Sequence, residues 1–134
     1  MRYVHAPAGD RYVRFKEETN MKMISNRAAI IVRPKAPFIE WVRSAGGDSS
    51  QITAREIRDE PNVYLVQDSE MDSEKNQVIA DNYTKIFEEE LYGWITDEAA
   101  WPNNRDLKTF KQWFQVDFHT MVLDLGDEDY LVEE

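Results

Sequence analysis

In the run QVDFHTMVLDL, residues 115–125, His119 and Asp117 stand two positions apart in a segment of strand composition. Side chains two apart on a strand project from one face. An imidazole and a carboxylate placed this way can ligate a metal ion or share a proton. Two ligands do not complete a metal site. The carboxylates of Asp97, Glu98 and Glu90 qualify as further ligands if the segment GWITDEAAWPNNRD, residues 93–106, folds across the end of that strand. In that arrangement His119, Asp117 and Glu98 are the catalytic candidates, and His119, Asp117 and Asp97 the metal candidates. The plainer role for His119 is that of a hydrogen-bonded residue on the polar face of an edge strand.

A second group surrounds the run AAIIVRP, residues 28–34. Arg33 and Lys35 flank Pro34 at its carboxyl end, just before a helix opened by Pro37. Open α/β sheets place anionic ligands at such positions. Asp68 and Ser69 end a second strand in a comparable way, so Arg33, Lys35 and Asp68 form a candidate ligand-binding group; alternatively they are ordinary solvated loop residues. A third group is Trp94, Trp101 and Arg105. An indole exposed beside a guanidinium is a natural hot spot for a protein partner, whereas a buried one is an anchor that knits short helices onto a sheet.

Other chemistry is excluded by what the chain lacks. It contains no cysteine, which removes disulfides, thiolate nucleophiles and cysteine-ligated metals. SAGGDSS, residues 44–50, is glycine-rich but lacks the G-K-[ST] ending of a phosphate-binding loop, and no G-x-S-x-G, H-E-x-x-H or EF-hand pattern occurs. The acidic triplet Glu88, Glu89 and Glu90 falls on a helix, where consecutive side chains diverge and only Glu90 turns toward an apolar stripe. Nothing holds two carboxyls at the fixed separation that glycoside hydrolysis needs. No motif calls for a cofactor.

At 134 residues with 42% hydrophobic composition, the chain holds one domain's worth of core. No apolar run approaches the ~20 residues of a membrane span, and the opening MRYVHAPAGDRYVRFK has no signal-like core. A cytoplasmic protein without membrane contact is expected. The formal charge of −10 opposes a phosphate backbone, so nucleic-acid binding is not expected. The charge is also lopsided. Residues 1–60 hold eleven Lys/Arg against eight Asp/Glu, and residues 61–134 hold five against eighteen. Such an acidic half is either a solvated face or a docking surface for a basic protein partner. The oligomeric state is left open, a homodimer among the alternatives.

The elements that must position these residues follow from periodicity. Residues 1–24 lack a long pattern and are read as an extension, with Met21 and Met23 as alternative starts, or as an edge strand through RYVRFKE, residues 11–17. AAIIVRP has the composition of a central strand buried on both faces. Phe38, Trp41, Val42 and Ala45 recur at helical spacing up to Gly46 and Gly47. Thr53 and Glu56 form a capping box, with Ile52 and Ile57 at the staple positions. NVYLVQD, residues 62–68, is a strand expected to pair with the first. From Ser73 to Tyr92, Ile79, Tyr83, Ile86, Phe87 and Leu91 trace a single stripe along a long helix. Gly93 then falls where a left-handed cap belongs, Thr96 can cap a short turn, and Asn104 can cap a helix striped by Leu107, Phe110, Trp113 and Phe114. Residues 115–125 close the domain as one long strand.

The stretch from SNRAAIIVRPKAPFIEW through FEEELYGWITDEAAWP to HTMVLDL resembles a family of small, acidic, largely bacterial proteins of unknown function. The likeness spans Asn26 to Leu125, and Thr120 departs from it where a His-Ser-Met pattern places serine. The resemblance implies the extent of the domain and a bacterial cytoplasmic origin, and it brings no activity, cofactor or catalytic residue. The sequence therefore predicts a compact α+β domain over residues 25–126, with a mixed three- or four-stranded sheet and a long amphipathic helix across one face, followed by an acidic tail at 127–134. The function expected is a non-enzymatic interaction or regulatory module. The alternative is a small metal- or anion-binding enzyme with a His/carboxylate site.

Overall fold

The computed structural model describes residues 3–5, 12–14, 21–45, 52–68 and 72–133, with the side chains of 3–5, 12–14, 72 and 73 left aside. Of the glycine-rich stretch, Ser44 and Ala45 end α1, while residues 46–50 lie outside the described residues, as does most of the amino-terminal extension. The order is β1 (Tyr3–His5), β2 (Tyr12–Arg14), β3 (Lys22–Ile24), β4 (Arg27–Pro34), α1 (Ala36–Ala45), α2 (Ala54–Arg58), β5 (Asn62–Gln67), α3 (Asp72–Tyr92), a 3-10 turn (Glu98–Ala100), α4 (Leu107–Trp113), β6 (Phe114–His119) and β7 (Val122–Asp124). This is a compact α+β domain.

The apolar run of β4 takes the centre of a three-stranded sheet ordered β5-β4-β6, and both of its ladders are antiparallel. Ala29 stands opposite Leu65 and His119, and Ile30 opposite Tyr64 and Phe118. Cross-strand partners share a face, so the register sorts the sheet into two sides. Ala28, Ile30 and Val32 point inward with Tyr64, Val66, Phe114 and Phe118. Ile31 and Arg33 point outward with Val63, Leu65, Asp117 and His119.

All the described helices contribute to the inward side. Phe38, Ile39 and Val42 of α1, Ile57 of α2, Ile86, Phe87 and Leu91 of α3 and Phe110 of α4 are buried in one cluster with the inward strand residues. At its centre Phe87 meets Phe110, Trp113 and Phe114 with ring centroids 5.8, 5.7 and 5.5 Å apart, while Phe38 meets Phe114 at 4.8 Å. These are the tilted and edge-on separations that aromatic quadrupoles favour. The stripe read along α3 is thus the one it buries.

The helix ends show where local reading succeeds and fails. Thr53 caps α2, its hydroxyl accepting from the amide of Glu56 at 3.2 Å, which is the first of the two bonds of a capping box. Gly93 does not adopt left-handed backbone, which corrects the expected cap. Instead α3 ends through backbone bonds from Gly93 to Glu89 and from Ile95 to Leu91. Asp97, one residue after Thr96, caps the 3-10 turn by accepting from the amide of Ala99 at 3.0 Å. Likewise Asp106 rather than Asn104 caps α4, accepting from the amide of Thr109 at 2.8 Å. In both places a carboxylate at the positive end of the turn's dipole takes the role from a neutral neighbour. The Thr109 contacts hold the Asp106 carboxyl below its usual range.

The single long strand expected over 115–125 is divided. β6 pairs with β4, and β7 pairs with β3. Between Ile24↔Val122 and Ala29↔His119 the first side of this ladder carries residues 25–28 against only 120–121 on the other. The turn at Ser25 and Asn26 absorbs the mismatch and breaks the ladder.

Candidate functional site

His119 and Asp117 do share the outward face of β6, but Asp117 is already engaged. Arg33 Nε donates to Asp117 Oδ2 at 2.9 Å, and Gln115 Nε2 donates to Asp117 Oδ1 at 3.2 Å. The Arg33 guanidinium, assisted by Gln115 and by His119, holds the Asp117 carboxyl below the usual range. Arg33 sits opposite Gln115 in the register, one diagonal step from Asp117. His119 is exposed on the same face. The sheet thus joins one of the anion-site candidates to one of the metal-site candidates as a solvated ion pair, an arrangement that contributes little to stability.

The remaining proposed ligands lie elsewhere. Asp97 and Glu98 belong to the 3-10 turn, which is tied to the helical side of the sheet: Trp41 Nε1 donates to the carbonyl of Ala100 at 3.1 Å. Asp97 spends its carboxylate on capping, and Glu98 is exposed. Among the described residues no three His, Asp or Glu side chains gather as a metal site. Lys35 donates from Nζ to the carbonyl of Lys111 at 3.0 Å. Because β4 and β5 are antiparallel, Asp68 falls at the Arg27 end of the sheet, the end opposite Arg33 and Lys35.

Around the hinge, Trp101 is an anchor. It is buried, its indole N–H donates to the carbonyl of Ile95 at 2.8 Å, and the Arg105 guanidinium lies over its ring at 5.7 Å. Trp94 is more exposed, beside the exposed Tyr92.

The one charged side chain buried among the described residues is Glu90, only 6% exposed. α3 carries it to the inward face of β5, where Asn62 Nδ2 and the Tyr64 hydroxyl both donate to its Oε2 at 2.5 Å. Asn62 and Tyr64 are alternate residues of one strand, so they present two donors to one point. Burial raises the pKa of Glu90, the two donors oppose that rise, and the neighbouring Glu89 adds to it. The phenol of Tyr64 is pushed above its ordinary range, first by burial and then by the Glu90 carboxylate. The sequence marks Glu90 as the inward member of its triplet but gives no sign of its partners, which lie 28 and 26 positions away. Chemically the trio is a polar clamp between helix and strand. A carboxylate held this way by two donors has the partners of a structural group.

Beside the clamp, the outer edge of β5 and the flank of α3 form an open groove. Tyr64, Leu65, Lys85 and Glu89 line one part of it, and Arg27, Gln67, Val78 and Asp81 another. Val63 and Leu65, on the outward face of the same strand, are 61% and 52% exposed. Residues 125–133 have neither helix nor strand, and Leu125, Tyr130, Leu131 and Val132 are all exposed there. No described helix is long and apolar enough to cross a membrane. Set against protein-family models, curated proteins and solved structures, the chain matches none.

Proposed function

We propose that this protein is a non-enzymatic interaction module whose partner is a basic protein, engaged through residues 125–133. The observation that carries this reading is the exposure of Leu125, Tyr130, Leu131 and Val132, with Leu131 94% exposed, between the carboxylates of Asp127, Glu128, Asp129 and Glu133. Each apolar side chain gains about 1.5–3 kcal/mol when fully buried, so leaving four in water favours a surface that covers them. The surrounding carboxylates steer a positively charged surface toward them and disfavour acidic competitors. Among the described residues, the cation paired with this segment is Lys22, whose contact with Asp129 at 3.9 Å joins two exposed side chains. Such a pair is weak enough to yield to a partner.

The test compares the immobilised full chain with a Tyr130→Ser/Leu131→Ser/Val132→Ser variant. From native lysate the original chain is expected to retain at least one basic protein, released by a high-salt step because exposed charges are screened within about 8–10 Å at physiological ionic strength. The triple variant should lose it. Retention of the same proteins by both chains would remove the reading.

A further inference from the structure

We propose that β5 pairs edge to edge with β5 of a second copy, joining two three-stranded sheets into one of six strands. Among the described residues β5 is hydrogen-bonded to a strand on one side only, that of β4. Natural edge strands are protected by charge, proline or a bulge. Asn62–Gln67 has no charged residue and no proline, and its ladder with β4 runs without a bulge from Val32↔Asn62 to Arg27↔Gln67. β6, on the far side of β4, differs in carrying Asp117 and His119.

The strand is also complementary to itself. An antiparallel copy related by a two-fold axis through Tyr64 places Val63 of each copy opposite Leu65 of the other. Inward and outward faces match in this register, because side chains alternate with a period of two. The four half-exposed aliphatic side chains then form one cluster across the joint, and roughly four to six backbone hydrogen bonds close it, depending on which alternate residues turn their amides outward.

The helix flank supports the same axis. β5 and α3 run in opposite directions: Tyr64 meets Glu90, whereas Gln67 and Asp68 share the groove with Val78 and Asp81. Lys85 and Glu89 line the groove at Tyr64 and Leu65, and neither forms an ion pair with a described residue. The two-fold axis lays the two helices antiparallel and brings Lys85 of each copy opposite Glu89 of the other. The charges on either side of the axis are thus complementary, which selects a second copy as the occupant of the edge. This contact is separate from residues 125–133 and stands whether or not they bind a partner.

Sedimentation equilibrium of the full chain tests the pairing, with circular dichroism to confirm the fold of each variant. The wild-type chain is expected to dimerise, and Leu65→Lys to be monomeric over the same concentrations. Lys85→Glu and Glu89→Lys, both on the exposed flank of α3, should each weaken the dimer at least tenfold, and the double exchange should restore it. A wild type that stays monomeric at millimolar concentration overturns the proposal, including one whose edge instead takes an extended strand from another protein. So does a dimer indifferent to Leu65→Lys, or one that the double exchange fails to restore.

Discussion

Replacing Phe87 with alanine is expected to lower the unfolding free energy by about 3–5 kcal/mol, read from urea denaturation. Phe87 has no exposed surface, and its ring contacts come from two elements distant in sequence: Phe110 and Trp113 of α4 and Phe114 at the start of β6. The size of the loss depends on whether neighbours can move into the space. Here they are held from other directions. Phe114 is also packed on Phe38 and Phe110, and Trp113 on Phe38 and Trp41, so little collapse is available and the cavity term stays large. A domain of this size has about 5–15 kcal/mol in total, so the variant sits near the edge of folding. Tyr92→Ala, five residues along the same helix but exposed, should change stability by no more than about 0.5 kcal/mol. Equal losses at the two positions would mean that the aromatic junction is not the centre of the core.

Phe87, Phe110 and Trp113 of that junction were legible in the sequence because a buried helix stripe repeats every three or four residues whatever it packs against, whereas Phe114, expected to continue the stripe of α4, opens β6 instead. The apolar runs of β4 and β5 and the cap at Thr53 were legible because each signal lies within a few residues of its consequence. The errors share a different cause. Around the hinge, Thr96 and Asp97, and then Asn104 and Asp106, are all competent caps, and which one serves is fixed by where the chain is held. Trp101 bonding to Ile95 and Trp41 bonding to Ala100 are the contacts that hold it. They also set the path after Gly93, so that a glycine in a favourable place does not take the left-handed turn. Division of the last strand depended on a turn at Ser25 and Asn26, almost a hundred residues upstream in the chain. The candidate chemistry was the least legible part. Residue types identify groups that can ligate or transfer protons, but Asp117 is occupied by Arg33 and Asp97 by a turn amide, and those partners are set by tertiary register and local backbone.

Glu90 is the position where charge, burial and function can be separated by experiment. A carboxyl whose pKa is raised in the folded chain binds its proton more tightly there than in the unfolded chain. Unfolding then releases protons, and stability falls as pH rises from the ordinary glutamate value, near 4.3, through the raised one, before levelling off above it. Glu90→Gln keeps an amide oxygen to accept from Asn62 and Tyr64 but has no charge to desolvate. Its stability is expected to be flat across that window and at least equal to the wild type on the alkaline side. Glu90→Ala leaves both donors without their acceptor and is expected to cost about 1–3 kcal/mol at every pH. Urea denaturation as a function of pH distinguishes the three chains. If Glu90→Gln retains the wild-type slope, the dependence arises from other carboxyls; if Glu90→Ala is as stable as Glu90→Gln, the hydrogen bonds are not what joins α3 to β5. The expected ordering would make Glu90 a clamp retained at some cost in stability at neutral pH. Because that clamp sets the height of α3 above β5, it also aligns Lys85 and Glu89 with the strand edge, so Glu90→Ala should weaken self-association while Glu90→Gln preserves it.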